Sequence, residues 1–444
     1  MKTSFLILLN KLITFICKLF GKQASVFPAS IVRKLDSDIL TKIKYPKYVI
    51  GVTGSSGKGS TTSLIAHILT TKGLKVVWNN TGSNVVNGTT TLILNNSSIL
   101  KHQMKCDCLL LEMDESYIKQ TFKNSTLTHL VLTNITRDQP ARNGEPEIIL
   151  NKIINSIDDK THLILNADDP FVNRFKLIHH GKITTYGIDK TKYSLKKPLS
   201  NNIDAAYCPV CHTKLKYSYY HYGHLGSYTC PNKDFERQVD YEATNIDLKN
   251  QTITINNNEY HLNKDVFFAV YYTLAAYTLC KVIGLTDEDL NLALNEKPME
   301  SKRLKTYMFY NREVEMIESK NENNLSYLQS LNYINNYEGE KTIIIGFDNV
   351  SRRYQYNDVS WLYDVDFECL DLTNIDKILC IGRFRYDVYA RLINANIPED
   401  KLILVPDKNE IKEYLNNTKG TIFTMVCFDM TAILKKIFME GNND

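Results

Sequence analysis

A chain of 444 residues is longer than a single hydrophobic core supports, and 43% hydrophobic with 23% charged residues is the composition of a folded protein of two or three domains. Extensive disorder and a polytopic membrane protein are both excluded. The 53 Lys and Arg against 49 Asp and Glu leave a net charge of +4, too little to predict a nucleic-acid partner.

The first apolar stretch, Phe5 to Leu9 and Leu12 to Ile16, is interrupted by Lys11 and Lys18 and is followed by no small-residue cleavage site. It reads as an amphipathic helix and not as a signal or a span, with Asn10, Lys11, Thr14, Lys18 and Lys22 on one side. Residues 1–45 would be this helix and a linker, the helix packing against the domain that follows or lying on a membrane surface or partner. Short apolar runs then alternate with helical stretches at Tyr48 to Val52, Lys75 to Trp78, Cys108 to Leu111, His129 to Leu132 and His162 to Leu165. That rhythm predicts a parallel sheet covered on both faces, in an α/β domain over 46–300. A Cys-, Tyr- and His-rich insertion at about 203–240 breaks it. Thr252 to Ile255 with Asn256 to Asn258 reads as a hairpin, and a long helix from Val266 to Ile283 ends at Gly284. Residues 301–444 restart the pattern, with strands at Thr342 to Gly346, Lys377 to Ile381, Leu402 to Val405 and Ile422 to Val426, as in a second doubly wound, Rossmann-like domain.

Chemistry concentrates after the first strand. Gly51-Val52-Thr53-Gly54-Ser55-Ser56-Gly57-Lys58-Gly59-Ser60-Thr61-Thr62 follows a strand and opens a helix, which is the context that makes such a run a phosphate loop. Gly54, Gly57 and Gly59 let backbone N–H groups curl inward, the helix N-terminus adds positive potential, and Lys58 bridges the terminal phosphates of ATP. A strict loop has Ser or Thr after the lysine to hold Mg2+; here that place is Gly59, and the hydroxyls belong to Ser60 and Thr61. Glu112, at the carboxyl end of the third strand, offers the magnesium an anionic partner, and Ser83 after the second strand offers a hydroxyl. Ten cysteines include one close pair, Cys208 and Cys211, which favours metal chemistry in a reducing, cytoplasmic compartment over a disulfide framework. That pair is half of a zinc ribbon. Cys230-Pro231-Asn232 resembles the other half, with Lys233 where the fourth cysteine is expected. Tetrahedral Zn2+ needs four ligands, so His212, His221, His224 or Asp234 would have to supply the last; a metal-free hairpin is the alternative.

In order along the chain, the phosphate loop, Thr81 to Asn84, Leu111 to Glu115, Thr133 to Gln139, Leu165 to Pro170, the cysteine insertion and Asp358 to Glu368 resemble the Mur ligase family. Within it the resemblance is to the MurT-type, ATP-using subunits of lipid II isoglutaminyl synthase. It implies a Mur-ligase-type central ATPase domain with a ribbon-like insertion, followed by a C-terminal Rossmann-like domain. It implies phosphorylation by ATP of the α-carboxyl of D-glutamate in the stem peptide of lipid II, at the inner face of the membrane. Ammonia from a GatD-type glutamine amidotransferase would then attack the acyl phosphate and give D-isoglutamine. It also implies that Asn166 and Asp168 lie near adenosine, that Arg303 sits where Mur ligases place an arginine, and that Asp358 completes the Cys–His site of the partner. Three places depart from the family: Gly57-Lys58-Gly59 for Gly-Lys-Thr, Phe267 to Tyr272 where asparagines are usual, and Gln355-Tyr356-Asn357-Asp358 for Asp-Gly-Arg-Asp. Two alternatives accompany them. Gly-Lys-Gly-Ser also resembles the loop of folylpolyglutamate synthase, and the departures would suit a nucleotide-binding scaffold without turnover.

Overall fold

The computed structural model describes residues 2–440 except 23, 81–83, 124–125, 138–143, 199–202, 296–303, 320–323 and 349–357. Leucine- and β-branched-rich runs of three to seven residues are too short for helices and bury on both faces, so they pair. In the first half they are β1 (Tyr48–Thr53), β2 (Val76–Trp78), β3 (Cys108–Glu112), β4 (His129–Leu132), β5 (His162–Asn166) and β6 (Ile183–Ile188). A two-stranded unit, β7 (Lys216–Tyr222) and β8 (Leu225–Thr229), stands apart, and β9 (Tyr241–Asp247), β10 (Thr252–Ile255) and β11 (Asn258–His261) return to the sheet. Its order is β11-β10-β9-β6-β5-β4-β1-β3-β2, parallel from β9 to β2. The hairpin expected at 252–258 is thus the antiparallel edge of this sheet.

Alternate residues of each central strand face opposite cores. Ile50, Val52, Leu110 and Val131 join a cluster with Ile65 and Ile68, while Val49, Leu109, Leu111, Leu130 and Leu132 join another with Leu6, Ile7 and Val32. Each such buried side chain contributes roughly 1.5–3 kcal/mol. Helices cover the two faces, among them α1 (Lys2–Leu19), α2 (Phe27–Leu35), α3 (Lys58–Thr71) and α4 (Val86–Asn95). Another, α5 (Phe267–Val282), is apolar all round because it packs between the sheet and α3, and Gly284 at φ +99° ends it as the sequence predicts. The helix α1 does pack on the domain, one of the two expectations for it. Asn10 donates to Asn95 Oδ1 at 3.0 Å, and Thr14 shares hydrogen bonds with the same side chain.

The second sheet holds β12 (Leu304–Phe309), β13 (Arg312–Ser319), β14 (Lys341–Gly346), β15 (Ile375–Ile381), β16 (Leu402–Leu404) and β17 (Thr421–Cys427), in the order β12-β13-β17-β14-β15-β16. The last four are the predicted parallel strands. The β12–β13 hairpin is an addition to the expectation: it turns at Tyr310, φ +51°, where no Gly or Pro marks it. The helix α6 (Asn324–Asn335) leads from this sheet back toward the first.

Candidate nucleotide and metal sites

β1 lies between β3 and β4, so the crossovers on its two sides diverge there and leave a crevice at its carboxyl end. Gly54 leaves β1 at φ +130°, and a Cβ there would sit 2.3 Å from Thr133 Oγ1 and 2.7 Å from the Asn134 carbonyl, so glycine is required by space as well as by φ. Residues leaving β4 brace the loop. Ser55 N–H donates to Asn134 O at 2.8 Å, Ser56 N–H to Asn134 Oδ1 at 2.9 Å, and Thr133 Oγ1 donates to Ser56 O at 2.6 Å. Gly57, at φ +81°, is the N-cap of α3.

Lys58 is buried, and its Nζ lies 2.8 Å from Glu115 Oε1 while also donating to the Gly54 carbonyl. The same carboxylate oxygen accepts the Gly54 N–H at 3.1 Å. Glu115 therefore occupies the loop as an anion would, between its lysine and one of its amides, and sequence reasoning passed it over although it lies three residues after Glu112. A Cβ on Gly59 would come 3.3 Å from Glu112 Oε2, so the place of the missing hydroxyl and the Glu112 carboxylate face one another. That corner fits a hard cation held by oxygen. Thr61 Oγ1 donates back to Gly57 O at 3.0 Å, whereas Ser60 lines the adjoining cleft. Ser83 lies outside the described residues, as does Arg303.

The cleft beside the loop is walled by Ser56, Gly57 and Ser60 on one side and by Tyr186, Tyr222, Phe268, Tyr271 and Tyr272 on another, with Ser326, Gln329 and Tyr333 of the second half closing it. An aromatic-walled cleft against a phosphate loop can hold a heteroaromatic base. Asn166 and Asp168 do not open into it. Asn166 Nδ2 donates to Thr133 O at 2.8 Å, and its Oδ1 accepts the Asp168 N–H at 3.1 Å. The fully buried Asp168 carboxylate accepts from Arg237 Nε at 2.6 Å, Tyr271 Oη at 2.8 Å and Ile188 N at 2.9 Å. Their polar atoms are engaged within the protein, and they brace Thr133 and Tyr271, which line the cleft. Burial opposes the charge of Arg237, but Asp168 outweighs it and holds the guanidinium above its usual range.

In the insertion, Cys208 N–H donates to Thr213 O and Cys230 N–H to Phe235 O, so two turns of equal length face each other. In this pairing Lys233 corresponds to Cys211 and Asp234 to His212. Lys233 is the left-handed residue of its turn, φ +61°, and Asp234 carries the fourth donor. Donor atoms of Cys208, Cys211, Cys230 and Asp234 all lie within 4.8 Å of one another, with the Cys211 and Cys230 sulfurs 3.4 Å apart and Cys208 Sγ 3.1 Å from Asp234 Oδ1. Val210 N–H and Asn232 N–H point at the sulfurs of Cys208 and Cys230, each at 3.4 Å. Three soft thiolates and a carboxylate at this separation fit tetrahedral zinc, in which neighbouring sulfurs are about 3.8 Å apart. Of the other residues considered for the fourth ligand, His224 lies 3.2 Å from Asp169, which keeps it more readily protonated against the opposing effect of its burial, and His221 is held neutral by burial.

The two halves also meet at Arg137, beyond β4. Its Nη1 lies 2.9 Å from Asp364 Oδ1, and Asp204 and Glu145 lie on its other edge at 3.7 and 3.3 Å. Asp358 is half-buried and accepts the Ser360 N–H at 2.9 Å, an Asx turn that starts the one-turn helix Ser360–Asp364. Asp364, in the same stretch, faces inward to Arg137.

Family models match both halves: the Mur ligase middle domain over residues 52–232 and the MurT ligase C-terminal domain over 319–432. The lipid II isoglutaminyl synthase (glutamine-hydrolyzing) subunit MurT of Staphylococcus aureus (strain COL) is 31% identical over 381 residues, covering 85% of this chain and 84% of that protein. The chain belongs to the MurT family of Mur ligases. The MurT subunit of Streptococcus pneumoniae (strain ATCC BAA-255 / R6) is 24% identical over 94% of this chain and 92% of its own. Among solved structures, a pseudomurein peptide ligase type C from Methanothermus fervidus superposes with a TM-score of 0.68 at 21% identity, over 91% of this chain and 80% of that one, a likeness of fold. The Mur-type α/β architecture read from the sequence is the fold of this MurT-family chain. The contacts of Glu115 with Lys58, of Asn134 with the loop and of Arg137 with Asp364 carry no signal in the sequence beyond polar residues that follow β3 and β4 or end the one-turn helix.

Proposed function

We propose that this MurT-family chain is the ATP-using subunit of a lipid II amidating ligase. The observation that carries the reading is the buried Lys58–Glu115 pair within a rigid, β4-braced phosphate loop, beside an aromatic cleft. A carboxylate is a poor electrophile, and transfer of a phosphoryl group to its oxygen turns that oxygen into a leaving group. When the terminal phosphates enter, Lys58 would exchange Glu115 for them. Ser60 and Glu112 would hold magnesium, which supplies charge neutralisation at the phosphates. The tyrosine-walled cleft would take the base. The acyl group would be the α-carboxyl of D-glutamate in the lipid II stem peptide, and ammonia would come from a GatD-type glutamine amidotransferase, since no cysteine and histidine pair at readable spacing here suits glutamine hydrolysis. Asp358 would orient the histidine of that partner. The insertion would hold one structural zinc through Cys208, Cys211, Cys230 and Asp234.

The match of residues 319–432 to the MurT C-terminal model favours this over a folylpolyglutamate-like ligase. Lys58→Ala should abolish ATP-dependent amidation with the fold intact. Equal turnover in that variant would remove the phosphate-loop assignment.

A further inference from the structure

The helix α1 turns its polar stripe inward. Asn10 and Thr14 are buried against Asn95, and of its apolar side chains only Leu6 and Ile7 are fully covered. Phe5, Leu8, Leu12, Phe15, Ile16 and Leu19 stand 43 to 68% exposed. Their spacing of three and four residues sets them along one stripe of a helix about 27 Å long. Phe20, just past α1, and Phe27, the first residue of α2, are 75% and 56% exposed. The loop with Leu100, 85% exposed, is tied to the start of α1 by a 2.9 Å hydrogen bond between Ser4 and His102.

Charge says what suits this stripe. Residues 1–35 contain no Asp or Glu, and Lys2, Lys18, Lys22 and Lys34 are all exposed. Lys18 borders the stripe, while Lys11, seven residues before it, turns its ammonium to the Asn95 carbonyl. An apolar stripe edged by cations and free of carboxylates complements a bilayer surface with anionic headgroups, into which aromatic and leucine side chains sink while ammonium groups stay at phosphate level. No described helix is long and apolar enough to cross a membrane, so α1 would lie along it.

We propose that α1 docks the chain flat on an anionic lipid surface through Phe5, Leu8, Leu12, Phe15 and Leu19. This does not depend on the reaction proposed above, although it would bring the phosphate loop to the same surface as a lipid-linked substrate. The test is co-sedimentation of the full chain with vesicles of phosphatidylcholine, with and without phosphatidylglycerol. The wild-type chain should pellet with phosphatidylglycerol vesicles and less with phosphatidylcholine alone or at high salt. The triple variant Leu12→Gln, Phe15→Gln, Leu19→Gln changes exposed positions and should keep its thermal midpoint while binding about tenfold or more weakly. Should that variant fold poorly, Lys18→Glu with Lys22→Glu should remove the phosphatidylglycerol preference instead. Absence of vesicle binding by the wild type, or equal binding by folded variants, overturns the proposal. So does a wild-type dimer that the triple variant breaks, because a second copy would then cover the stripe.

Discussion

At the residue scale, the site turns on what stands beside Lys58. Glu115 and the Gly54 carbonyl hold its ammonium in the loop, so the position that would meet a phosphate is already defined. Such preorganisation lowers the cost of placing charge during phosphoryl transfer. Gly59 is the counterpart weakness: it faces the Glu112 carboxylate, 3.3 Å from where a Cβ would stand, without the hydroxyl the usual loop carries. Gly59→Ser should therefore lower the magnesium concentration for half-maximal ATP turnover severalfold, without loss of maximal rate, as measured by metal titration. An unchanged metal dependence would separate Glu112 from the cation.

At the scale of elements, the insertion shows which side chain would supply a fourth metal donor. Lys233 replaces the expected cysteine, but the left-handed turn at that residue swings Asp234 into the cluster, where a carboxylate reaches as far as a thiolate. Purified protein should carry one zinc per chain, lost on Cys208→Ser, weakened by Asp234→Ala and tightened by Asp234→Cys. Elemental analysis showing no zinc in protein prepared without chelator would leave a metal-free hairpin. The elements themselves were largely legible, because two-sided burial writes Val, Ile and Leu runs such as Ile343-Ile344-Ile345 and because Gly54, Gly57 and Gly284 are demanded by local geometry. Less legible was the β12–β13 hairpin, whose two-residue turn, Tyr310-Asn311, has neither Gly nor Pro. The same holds for the inward role of Asp168, since an acid after a strand looks the same in sequence whether it meets a ligand or Arg237. Which side chain completes the zinc set depends on one backbone φ, and no spacing rule reports that.

At the scale of the molecule, the cleft is shared: its floor is the phosphate loop, and one wall is α6 of the other half, with Arg137 and Asp364 joined nearby. Nucleotide binding and the seating of the second half are thereby linked through common contacts. Asp358 lies at the outer end of the stretch that Asp364 anchors, and Asp358→Asn keeps the oxygen that accepts the Ser360 N–H. That variant should assemble with the glutaminase and bind ATP normally but hydrolyse glutamine more slowly in the complex. Wild-type glutaminase rates would remove Asp358 from the partner's site, and failure to assemble would point to the turn.

The central claim is that this chain makes a carboxyl oxygen into a leaving group by phosphorylating it. The measurement that addresses it most directly uses lipid II labelled with oxygen-18 in the α-carboxyl of D-glutamate, incubated with the chain, its glutaminase, ATP and glutamine, followed by mass analysis of the phosphate released. If an acyl phosphate forms, the phosphate carries the label, one labelled oxygen for each amide made, and Lys58→Ala yields neither product. Amide formation with unlabelled phosphate, or ATP consumption without amide, would contradict the account.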